Sequence, residues 1–179
     1  MTIVMILATL IVLTFVPGLE LRASIPVGYF TPAMRAALPL PAIALICLAT
    51  NIGVGMLTFW LMGPAERILR RWGWFDRHIW PRIARSRHKL QPYVAKYGEW
   101  GLAIFIGVPL PGTGAYTGAF GAYLLGFDRR RFWLANALGV LIACLAVVAL
   151  CILIDQKIVA DDSLLRRLFL KMGAGATTH

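Results

Sequence analysis

Apolar residues dominate four stretches of this chain, and polar residues interrupt two of them in the same way. The first stretch, Thr2 to Val16, stops at Pro17-Gly18 and continues through Glu20, Arg22 and Pro26 to about Leu38. Ile3 to Val16 covers roughly 21 Å as a helix, short of the ~30 Å hydrocarbon core of a bilayer. The second stretch, Pro39–Met62, is long enough to span with some tilt. The third, Trp100 to Leu125, is broken by Pro109-Leu110-Pro111-Gly112-Thr113-Gly114. The fourth, Phe132 to Ile154, reads as an uninterrupted spanning helix.

Prolines and glycines together stop a helix, because proline lacks a donor and glycine favours other backbone conformations. At membrane depth the freed N–H and C=O groups need a protein or polar cavity around them. Each break is therefore a candidate re-entrant turn or site. The proposed tips are Pro17 and Gly18 in the first, and Pro109, Pro111, Gly112, Thr113 and Gly114 in the second.

Residues 63–98 hold nine Lys/Arg against two acids, which predicts a cytoplasmic location. Ile68, Trp72, Phe75, Ile79 and Ile83 form an apolar stripe there, as in an interfacial amphipathic helix. If the third stretch enters and leaves on one side, Arg129, Arg130 and Arg131 are cytoplasmic too. By the same logic the first stretch dips in from outside. Pro17-Gly18 and Pro111-Gly112 lie 94 positions apart, and that shift carries Pro39–Met62 onto Trp133–Gln156. The pattern predicts two halves of opposite orientation, and paired broken segments of this kind point to a transporter site near the midplane.

The expected architecture is a single all-α polytopic membrane domain. Its first half is residues 1–62, its basic cytoplasmic connector 63–98, its second half 99–156 and its tail 157–179. Each half has a re-entrant or broken helix pair and a spanning helix. Four hydrophobic segments make a thin wall, which favours a homo-oligomer. The first stretch is short enough for a signal peptide, but the lack of a positive leader and the charges after Pro17-Gly18 speak against cleavage.

Composition agrees. The chain is 59% hydrophobic with net charge +10, too apolar for a soluble domain. The basic charge is accounted for by the connector and attraction to anionic lipids, and no nucleic-acid partner is expected. Cys47, Cys144 and Cys151 lack metal-ligand spacing and read as packing residues. No cofactor or metal is expected, and no triad or carboxylate pair suggests an enzyme.

Glu20 and Arg22 are the charged residues of the first break. A charge at membrane depth is costly unless paired or facing water. Glu20 is the candidate proton site, because burial disfavours a charged carboxyl. Arg22 is the candidate ligand for an anionic group, through its planar fork of donors. The competing reading puts both at the interface or pairs them with each other. In the second break, amides following Gly112 would present a positive helix end. Tyr116, Thr117, Gly118 and Asn51 are expected to line the cavity. Asn136 lines it or bridges helices. Glu99 is expected to be interfacial.

Phe105-Ile106-Gly107-Val108-Pro109-Leu110-Pro111-Gly112-Thr113-Gly114-Ala115-Tyr116-Thr117-Gly118-Ala119 resembles the signature of the putative small multidrug export proteins. Pro17, Glu20-Leu21-Arg22 and Ile25-Pro26-Val27-Gly28 resemble that family's first signature. Tyr97-Gly98-Glu99-Trp100-Gly101-Leu102 resembles its lead-in to the second. The resemblance implies export of amphipathic small molecules. The family in turn resembles, distantly, the DedA/VTT membrane proteins, which implies a lipid-phosphate flippase as the alternative. The second break here carries no arginine, unlike the DedA pattern. A third alternative is a structural membrane protein without transport.

Overall fold

The computed structural model describes residues 2–71, 77, 98–108 and 113–174, with side chains through residue 156. Among the described residues every regular element is a helix. Most of the basic amphipathic stripe, and the tips Pro109, Pro111 and Gly112, lie outside them.

Helix α1 spans Ile3–Phe15 and buries Ile6, Leu10 and Thr14, one turn apart on one face. It stops at Val16, because Pro17 follows and disfavours helical backbone before it. Gly18 takes the left-handed φ of +87° that reverses the chain. Helix α2, Glu20–Phe30, and the short helix α3, Pro32–Ala37, follow. Pro26 sits inside α2 without ending it.

Helix α4 spans Leu40–Arg70, eight residues beyond the segment end expected at Met62. Pro64 lacks one donor, but Ala65 to Arg70 are mostly good helix formers, and Arg70 pairs with Glu66 one turn back at 3.6 Å. Helical residues 98–107 are termed α5. Helix α6, Ala115–Leu125, ends on Gly126 in left-handed conformation. Helix α7, Arg129–Ala174, takes in Arg129, Arg130 and Arg131, which precede the apolar stretch expected to begin at Phe132. Asp128 caps it: its carbonyl accepts from Phe132 N–H at 2.9 Å and its carboxylate from Arg130 N–H at 3.4 Å.

The packing crosses between the two halves. α2 lies against both long helices, α4 and α7, and so does α6. The mean hydropathy of α4 reaches 2.0 and that of Arg129–Gln156 reaches 3.2, enough in length and composition to cross a membrane. The exterior is apolar, with Val4, Leu45, Trp60, Trp100, Ile104 and Leu145 exposed. The interior holds Thr14, Glu20, Ser24, Asn51 and Asn136. Water would penalise that surface; hydrocarbon accepts it.

Candidate functional site

The two breaks meet. Glu20, the first residue of α2, is 4% exposed. Its carboxylate reaches the first turn of α6, just after the second break. Ala115 N–H donates to Oε2 at 3.1 Å, and Tyr116 N–H donates to Oε1 at 3.5 Å. Asn51 of α4 donates its Nδ2–H to Oε2 at 3.3 Å. Among the described residues, no side chain adjacent in sequence caps α6. A carboxylate 95 positions earlier does so, satisfying amides that otherwise lack partners at a positive helix end.

Gly114 makes this approach possible. Its φ is +150°, and a Cβ there would lie 2.6 Å from Glu20 Oε2. Glu20 itself holds φ +49°, unusual for a residue with a side chain. Ser24, one turn on, donates its hydroxyl to the Glu20 carbonyl at 3.2 Å. Thr14 Oγ1 lies 2.8 Å from Ser24 Oγ and 2.7 Å from the Leu10 carbonyl. A buried polar chain thus ties the end of α1 to the start of α2.

Arg22 serves the other side of the second break. Its guanidinium donates to the Val108 carbonyl and to Thr113 Oγ1, each at 3.0 Å, and also to the Thr113 carbonyl. Thr113 Oγ1 donates to the Val108 carbonyl at 2.6 Å. Val108 follows the last turn of α5, whose carbonyls form a negative helix end. The acid of the first break therefore sits at the positive end in the second, and the base sits near the negative end.

The remaining predicted residues divide. Tyr116 donates its hydroxyl to the Phe15 carbonyl at 2.6 Å, linking α6 to the end of α1. Gly118 is buried against Ile106. Thr117 is exposed, and its hydroxyl returns to the Gly114 carbonyl at 3.4 Å. Asn136 donates to the Ile52 carbonyl at 3.1 Å, which bridges α7 to α4. Glu99 lies 3.6 Å from Arg131. Among the described residues, Asn51 Oδ1 and Asn136 Oδ1 are buried without a partner.

Sequence reasoning missed Thr14 and Ser24. Ser24 was legible as one turn from Glu20 on the same face; Thr14 carried no comparable signal. It also missed the cluster in which Asp155 accepts from Tyr29 Oη at 2.9 Å and from both terminal nitrogens of Arg35 at 3.1–3.2 Å. Among the described residues no group of histidine, cysteine or acidic side chains could hold a metal ion.

The family model described as "Putative small multi-drug export protein" matches residues 20–146. No curated protein and no solved structure matches the chain. The family match starts at Glu20 and takes in Arg22, Asn51 and the whole second break. It covers more than half of the 179 residues, and the chain belongs to this family. With its two long apolar helices, it is a membrane protein.

Proposed function

We propose that this family member is a secondary exporter of amphipathic small molecules, gated by proton exchange at Glu20. One observation carries the reading: the buried Glu20 carboxylate holds the first turn of α6 through Ala115 and Tyr116. A carboxylate accepts from both amides. Protonation makes one oxygen a donor and removes the attraction to the positive helix end. The two breaks then part, and a path opens between the halves. Asn51 Oδ1, buried without a partner among the described residues, can accept the new O–H once its amide turns. The left-handed backbone of Glu20 costs about 1–2 kcal/mol in the clamped state and favours release.

The crossed packing of α2 and α6 on the same two long helices supports two related halves, whose opposite orientation follows from the charge of their flanking loops. The basic excess of 63–98 supports a cytoplasmic connector in a prokaryotic-type plasma membrane. Arg22 favours the exporter over the lipid-phosphate flippase. Its donors already engage Val108 and Thr113, so it braces the second break rather than presenting an open fork to a headgroup.

The test is flux of an amphipathic fluorescent dye from proteoliposomes under a pH gradient. The wild type should respond to the gradient. Glu20→Gln should lose that response, by tenfold or more in initial rate. Equal gradient-driven flux in both proteins would remove Glu20 from the mechanism.

A further inference from the structure

A second site lies away from the breaks, where α4 leaves its apolar stretch. A hollow of about 300 Å³ opens there between α4, α6 and the start of α7. Phe59, Trp60 and Tyr123 form its apolar walls, and Arg67 and Arg129 its basic rim. A second hollow of about 270 Å³ shares Phe59, Trp60 and Arg129 and extends along Met56 and Leu57.

The α4 residues follow helical spacing. Met56, Phe59, Trp60, Gly63 and Arg67 recur every three or four positions and share one face. That face grades from apolar to basic over about 16 Å, from Met56 to Arg67. Its back wall is fixed, because Phe59 stacks on Phe132 with ring centroids 4.4 Å apart. Its front is open. Trp60 is 60% exposed on the lipid-facing exterior. Gly63 keeps the middle clear, since a Cβ there would meet nothing within 4 Å.

The rim charges are available. Among the described residues neither Arg67 nor Arg129 has a carboxylate partner. The nearby acids are engaged: Glu66 by Arg70 and Tyr123, Glu99 by Arg131, and Asp128 by the Arg130 amide. Two arginines at the end of an apolar groove match a phosphate group that carries a hydrocarbon chain.

We propose that this groove holds one anionic phospholipid of the surrounding bilayer, its phosphate between Arg67 and Arg129 and an acyl chain along Trp60, Leu57 and Met56. The lipid sits on the outside of the helix bundle and is independent of the export reading.

Native mass spectrometry of the detergent-solubilised protein tests it. The additions are phosphatidylglycerol, phosphatidylcholine or inorganic phosphate, the last reporting a free anion site. The wild type should retain phosphatidylglycerol at least tenfold better than phosphatidylcholine and should not retain inorganic phosphate. R67A and R129A should each weaken phosphatidylglycerol binding roughly fivefold. Gly63→Leu keeps both charges but fills the groove, and should abolish the preference. Arg130→Ala, outside the groove, should keep it. Equal retention of the two lipids by the wild type would overturn the proposal. So would a preference that survives Gly63→Leu or the double arginine variant, or one that is lost in Arg130→Ala. Retention of inorganic phosphate in place of lipid would also overturn it.

Discussion

Three residues set the geometry of the site: Glu20, Arg22 and Gly114. Burying a carboxylate in a membrane protein is costly without strong donors. Two backbone amides and the Asn51 amide provide them. Gly114 is the residue that lets the carboxylate come so close. Gly114→Ala places a methyl 2.6 Å from Glu20 Oε2 and demands a backbone conformation that alanine rarely adopts. The backbone term alone is about 1–3 kcal/mol. The variant should melt several degrees lower than wild type in detergent, read by circular dichroism, and an unchanged melting temperature would show that α6 starts elsewhere. Glu20 and Arg22 were legible as candidates, because charges stand out in an apolar stretch. What they bind was not. Most of their partners are backbone groups, of Val108, Thr113, Ala115 and Tyr116, and a backbone group leaves no mark in a sequence.

At the scale of elements, proline and glycine proved unequal signals. Pro17-Gly18 ends α1, whereas Pro26 and Pro64 lie within helices. The difference is in the neighbours. Gly18 supplies a reversing φ beside Pro17, while Gly63 beside Pro64 stays helical and good helix formers follow. The last helix likewise starts before its apolar stretch, because Asp128 caps Arg129–Arg131 into α7. The close approach of α5 to α7 rests on Gly139, where a Cβ would meet the Ala103 carbonyl at 2.7 Å. Backbone cannot move aside as a side chain can. Gly139→Leu should destabilise the protein by about 1–3 kcal/mol, measured by denaturant titration in detergent micelles. Gly53→Leu, with open space at its Cβ, should cost far less. Equal effects would contradict the packing.

Across the described residues, an apolar core encloses a few polar groups, large apolar side chains also cover the exterior, and the two broken segments complete each other. Each break alone would leave helix ends unsatisfied in hydrocarbon. Together, the acid and base of one neutralise the helix ends of the other. The all-helical class and the two long apolar helices were legible from hydropathy, since length and composition decide them. The pairing of the breaks was expected from their matching pattern, but the bonds between them were not, because they join positions more than 85 residues apart. If the Glu20 carboxylate holds the second half closed through α6, the amides that donate to it are protected from exchange. Amide hydrogen exchange in lipid nanodiscs measures this directly, at Ala115 and Tyr116, corrected for the intrinsic effect of pH. Wild-type protection should fall as pH is lowered, and Glu20→Gln should show about tenfold less protection at neutral pH, the difference between a charge-assisted and a neutral hydrogen bond. Equal protection in the two proteins, insensitive to pH, would show that the Glu20 carboxylate does not hold α6.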